Sequence, residues 1–221
     1  MNRTIFAYIL SLTIIFNLNA KSFERQQSGK FDYYVFAQAW YPTFCKSGPK
    51  GECENLTQYQ KSSLSPHGLW PNNMKNNHPA FCTRSPGCES EGACGFIKNA
   101  EIVDELKGFM PESLINHEWK KHGTCSGFTQ EVYFEKILEL QNMYITPEFI
   151  KDNISACLRF DDIVEHLGGS EYVNIKCSKE NGRQYLEQVY YSLDRDFVKM
   201  KKLYDYSNCD MSSEICIKLL Q

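Results

Sequence analysis

Three histidines, a glutamate and two lysines fall in two short segments of this 221-residue chain. They are Ser65-Pro66-His67-Gly68-Leu69-Trp70-Pro71 and His117-Glu118-Trp119-Lys120-Lys121-His122-Gly123-Thr124-Cys125. A lone histidine is ordinarily filler, but imidazoles clustered with a carboxylate and an ammonium are the parts of acid–base chemistry on an anion. Written as a helix at about 100° per residue, the second segment puts Glu118, Lys121 and His122 on one face, at i, i+3 and i+4. His117 lies off that face, Trp119 points inward, and Gly123 is expected to stop the helix. Such a trio suits an anionic transition state: the imidazole moves a proton, the ammonium neutralises oxygen charge, and the carboxylate orients its neighbours.

Spacing excludes the nearest competitors. A zincin needs histidines at i and i+4, whereas position 121 is Lys and His122 stands at i+5 from His117, about 140° round the helix. There is no Gly-x-Ser-x-Gly elbow for a serine hydrolase. No Cys-x-x-Cys pair offers a zinc knuckle or a thioredoxin-type redox site. His78 and His166 stand outside both segments and read as ordinary surface residues.

The elements that must carry these residues follow from periodicity. Phe31 to Trp40 is aromatic and β-branched and reads as a buried strand. Cys45 to Asn77 is rich in Gly, Pro, Ser, Asn and Lys, so loops are expected there, around His67. Helical spacing runs through Asn99 to Phe109, Pro111 opens a helix towards Trp119, and Thr129 caps a helix that runs to Met143. Tyr172 to Cys177 and Tyr185 to Leu193 read as late strands, the second presenting Leu186, Val189, Tyr191 and Leu193. Strands at both ends with helices between predict an α+β domain.

The two segments resemble the paired active-site motifs of the ribonuclease T2 family, in the same order and about fifty residues apart. Gln38-Ala39-Trp40 at a strand end, Cys45 soon after it and the late strand pair extend the resemblance over most of the chain. Tyr41 between Trp40 and Pro42 is a departure that leaves the motifs untouched. The resemblance implies a central antiparallel sheet flanked by several helices. It also implies cofactor-free endonucleolytic cleavage of single-stranded RNA, in which the ribose 2′-hydroxyl attacks phosphorus to give a 2′,3′-cyclic phosphate. On matching positions His122 would be the base and His67 the acid. Glu118 and Lys121 would stabilise the phosphorane, and His117 would contact phosphate. Trp70 either stacks on a base or packs the His67 segment; Gln38 either reads a base edge or satisfies a strand end. Little or modest base preference is expected. So is an acid-side pH optimum, with Glu118 and substrate phosphates raising the histidine pKa values. The opposing class is a catalytically silent, toxin-like or storage member.

The rest of the chain suits that reading. Ten cysteines, an even number, fit a secreted disulfide framework. In the family pattern Cys82 pairs with Cys125; Cys45 with Cys53, and Cys177 with Cys209 or Cys216, are further expectations. Met1 to Ala20 reads as a signal peptide, with Arg3 ahead of an apolar run, leaving residues 21–221 as one domain. The competing reading of that leader is a core helix or membrane anchor. The net charge of −3 excludes a histone-like binder but not a nuclease, which needs cations only where phosphates sit. A monomer without an obligatory protein partner is expected, secreted or in a lysosomal, vacuolar or periplasmic space. Asn55-Leu56-Thr57 and Asn153-Ile154-Ser155 are glycosylation sequons.

Overall fold

The computed structural model describes residues 27–47, 53, 55–75, 78–82, 100–203 and 205–220. The expected leader and Cys88 and Cys94 lie outside the described residues. Strand β1 (Tyr33–Ala39) is buried at all seven positions. Its alternate residues feed two apolar layers: Tyr34 and Phe36 join the main core, whereas Tyr33, Val35 and Ala37 meet Tyr190 on the opposite face. A strand covered on both faces has no polar alternation to show, as in the sequence.

The end of helix α1 (Tyr41–Ser47), helix α2 (Gln58–Ser62) and strand β2 (Ser65–Asn72) fall in the stretch from Cys45 to Asn77 that was expected to be loops. After them come α3 (Ala100–Lys107), α4 (Glu112–Lys121), a 3-10 turn at Gly123–Cys125 and α5 (Gln130–Met143). Thr129 caps α5 by accepting a hydrogen bond from the Val132 amide. The chain ends through α6 (Glu148–Asp152), β3 (Cys157–Leu158), α7 (Phe160–His166), β4 (Val173–Glu180), β5 (Arg183–Leu193) and β6 (Ile215–Cys216).

The strands form one sheet in the order β2-β1-β5-β6-β3, with β4 also paired to β5. Its body is antiparallel, as expected; the short β5–β6 pairing is parallel. Leu186 and Val189 both reach the main core although three residues apart, because β5 carries a bulge at Glu187 opposite Lys176 and Cys177. β2 ends the pairing order, and α4 and the 3-10 turn pack against it. Four disulfides join described residues: Cys45–Cys53, Cys82–Cys125, Cys157–Cys216 and Cys177–Cys209. Among the described residues no helix is long and apolar enough to cross a membrane.

Candidate functional site

His67 comes from a strand and not from a loop. β2 pairs Gly68 with Ala37 but Pro66 with Gln38, leaving His67 as the extra residue of a bulge. A bulge bends its strand and re-aims one side chain. Composition hid this strand: Pro66 and Pro71 are tolerated because β2 is an edge and bulged strand. The His67 ring lies edge-on to Phe44 of α1, with centroids 5.1 Å apart.

The second segment is built by α4. Leu114, Ile115, Glu118 and Trp119 form its buried stripe, so the carboxylate is carried inward with the core residues. Burying the two aliphatic side chains stabilises the helix position by about 1.5–3 kcal/mol each. Trp119 is a core residue, edge-on to Tyr133. The helix ends at Lys121; His122 caps it, its amide donating to the Glu118 carbonyl at 2.9 Å. Gly123 does not stop the chain in a left-handed conformation but lets it tighten into the 3-10 turn. A Cβ there would lie 2.3 Å from Trp119 Cε3, so close packing, and not backbone freedom, demands glycine. The Phe81 amide donates to the Lys121 carbonyl at 2.9 Å, and the Cys82–Cys125 bridge fastens the same place.

The two segments meet at Glu118. Its side chain is 1% exposed, with Oε1 3.6 Å from His67 Nε2. Trp70 Nε1 donates to Glu118 Oε2 at 2.7 Å, while the indole stacks on His122 at 5.3 Å between centroids and 28° between planes. Trp70 is also edge-on to His67 at 5.3 Å, so one indole touches all three groups. Gly68 makes this possible: a Cβ at that position would lie 1.9 Å from Glu118 Oε2. Lys121 is half-buried and His117 exposed at the rim.

Burial dominates the electrostatics. It pushes the His67 imidazole down to about 3, with the charges of His117, Lys121 and Lys176 acting in the same direction. Burial likewise pushes His122 down to about 2, helped by Lys121, His67, His117 and His78. The expected rise of these values is therefore corrected for the ligand-free site: desolvation outweighs the carboxylate. His122 Nδ1 is buried with no hydrogen-bond partner among the described residues.

Gln38 is not brought to the site. It is fully buried, and its amide donates to Gln141 Oε1 and to the Tyr144 carbonyl, both at 2.8 Å. Its face of β1 is turned to α5, where these bonds satisfy the amide. Sequence reasoning missed Phe44, Lys176, Gln188 and Tyr190. Gln188 Nε2 lies 2.5 Å from His67 Nδ1, and its one signal was an amide followed by the apolar run Val189-Tyr190-Tyr191. His78, expected to be an uninvolved surface residue, is exposed but touches Asn72 and adds to the field at His122. Among the described residues no group of three or more His, Cys, Asp or Glu side chains is placed to hold a metal ion.

Comparison with known proteins agrees with this architecture. A model of the Ribonuclease T2 family matches residues 31–209. Ribonuclease 1 of Arabidopsis thaliana is 28% identical over 189 residues, covering 76% of this chain and 78% of the relative. Extracellular ribonuclease LE of Solanum lycopersicum is 26% identical over 180 residues, covering 75% and 70%. The crystal structure of RNase NT in complex with 5′-AMP matches with a TM-score of 0.63 at 20% identity, covering 86% of this chain and 99% of that one.

Proposed function

The chain belongs to the ribonuclease T2 family, and from that premise we propose that it cleaves single-stranded RNA by transphosphorylation, with little or modest base preference. The observation that carries this reading is the convergence of His67 and His122, from separate elements, on the buried Glu118 and the indole of Trp70. In-line displacement at phosphorus needs a base on one side and an acid on the other. His122 takes the proton of the ribose 2′-hydroxyl, and His67 delivers one to the departing 5′-oxygen. The nucleophile is already tethered to the reacting phosphate, which removes much of the entropic barrier.

Lys121 and His117 meet the non-bridging oxygens at the rim, where charge accumulates. Glu118 holds His67 Nε2 towards the site and shares in the charge balance of the phosphorane. Lys121 beside that single carboxylate repels a divalent cation, so the ammonium and the protonated imidazole supply the charge stabilisation. The mature protein works as a monomer in an oxidising, secretory or equivalent space, where its disulfides persist.

Incubation with RNA in excess EDTA tests the reading. The expected products carry 2′,3′-cyclic phosphate ends, and a 2′-deoxy substitution at the cleaved position abolishes cutting, since DNA lacks the nucleophile. Loss of activity in EDTA, or equal cutting of single-stranded DNA, overturns the mechanism. RNA binding without cleavage favours the silent-binder reading.

A further inference from the structure

On the reading that His67 is the acid, we propose that Gln188 is its positioning residue, with the Tyr190 hydroxyl setting which way the Gln188 amide faces. Gln188 and Tyr190 stand two apart on β5, and their partners on β1 are Ala39 and Ala37. Small side chains there leave room above the sheet for the His67 bulge. The Tyr190 hydroxyl donates to Gln188 Oε1, which turns the amide nitrogen to His67 Nδ1 at 2.5 Å. Nδ1 must then accept, and the neutral ring carries its proton on Nε2, the nitrogen that faces Glu118 Oε1 at 3.6 Å.

This arrangement has a consequence for proton delivery. Protonation at Nδ1 would set two donors against each other. The charged ring therefore requires the amide to turn over, with Oε1 accepting from Nδ1 and Nε2 donating to the Tyr190 oxygen. A phenol hydroxyl both donates and accepts, so it can serve either orientation. Once Nε2 has given its proton to the leaving oxygen, the neutral ring keeps its remaining proton on Nδ1, bonded to the turned-over Gln188 Oε1. Proton exchange with water and a second turn of the amide then restore the Nε2–H resting form, and in both orientations Gln188 keeps Nε2 aimed at the leaving oxygen. The charged and titratable groups around His67 are His117, Glu118 and Lys121 on α4, His122 at its end, and Lys176 on β4 beside Glu187.

Three variants of the full chain separate this from a structural role, with circular dichroism as the check on folding. Gln188→Leu removes the donor while keeping bulk. It lowers kcat by about 10–100-fold with KM nearly unchanged, the usual cost of losing a partner that orients a working imidazole. Gln188→Glu puts a carboxylate at Nδ1, restores more activity than Leu, and moves the alkaline limb of the pH–rate profile up by about one unit or more. Tyr190→Phe leaves the amide without its orienting hydroxyl and falls between wild type and Gln188→Leu. Nitrogen-15 spectra of the ligand-free wild type read the tautomer independently of RNA cleavage, and the expected form is Nε2–H. An Nδ1–H tautomer, or an unmoved alkaline limb in Gln188→Glu, overturns the proposal. A wild type that shows Nε2–H but cuts no RNA overturns the functional reading alone.

Discussion

Trp70 Nε1 donates a 2.7 Å hydrogen bond to Glu118 Oε2, and this bond ties the bulged strand of His67 to the helix that His122 caps. A carboxylate that is 1% exposed needs its donors. Removing one from a buried charged group costs about 1–3 kcal/mol or more. Trp70→Phe keeps an aromatic ring over His122 and deletes only the donor. The expected result is a stability loss of that order in urea unfolding, together with a fall in kcat. Unchanged stability would mean that Glu118 does not depend on the indole.

Alanine at His67 or at His122 should lower kcat/KM by about 10²–10⁴-fold, the usual worth of a positioned acid or base. The double variant should lose much less than the product of the two effects, because the two groups act in one displacement. Dinucleotide cleavage measured at several pH values checks both statements. A variant that keeps wild-type kcat/KM removes its residue from the mechanism.

Stability should fall with acid through both imidazoles. Each is held neutral in the fold, with pKa pushed to about 3 at His67 and about 2 at His122. In the unfolded chain each titrates near 6.5. The unfolded state therefore binds more protons below about pH 6.5. This contribution is complete above that pH and is lost progressively as pH falls towards the folded values, at up to about 1.4 kcal/mol per imidazole per unit. Melting temperatures from pH 7 to 4 should decline, and the decline should be shallower in a His67→Gln, His122→Gln double variant. Equal slopes would contradict it. For catalysis the same depression puts the kcat/KM optimum on the acid side, with the kcat optimum higher because bound phosphate raises both imidazoles.

Gly68→Ala should be far more damaging than its single methyl suggests. The new Cβ would lie 1.9 Å from Glu118 Oε2 and 2.6 Å from Trp70 Nε1, so the carboxylate or the indole must leave its place. Activity should drop by at least an order of magnitude, as in a misplaced constellation. Normal kinetics in this variant would show that the Glu118 position is not required.

Removing the Cys82–Cys125 bridge, which spans 43 residues, should cost about 4 kcal/mol in the chain-entropy model. Denaturation of the Cys82→Ala, Cys125→Ala double variant measures it. A loss below about 1 kcal/mol would mean that the two segments are held together by packing alone.

Local patterns were readable and non-local ones were not. The α5 helix and its Thr129 cap, the β1 strand, and the inward turn of Trp119 all follow from periodicity within a dozen residues. Glu118, Lys121 and His122 were grouped by the same local geometry. β2 was lost because Ser, Pro, Gly and Asn mark loops, whereas an edge strand with a bulge accepts them. The two readings of Gln38 stayed open because β1 is buried on both faces, so its sequence does not say which side looks at the site. Gln188 and Tyr190 reach His67 only through the pairing of β5 with β1, a contact 121 residues apart in the chain for Gln188 and His67. The Cys157–Cys216 pairing likewise waits on the alignment of β3 with β6.

His67 stands outside the ladder, since the pairing passes from Pro66 to Gly68. The register of β1 with β2 is accordingly indifferent to which side chain occupies position 67. Main-chain pairing and chemistry are thus separable at this residue, unlike at Gly68, where the room beside the backbone is what admits Glu118 Oε2 and the Trp70 indole. A substitution at position 67 would therefore leave the strand pairing in place while taking from Glu118 Oε1, Phe44 and Gln188 the ring that each of them faces.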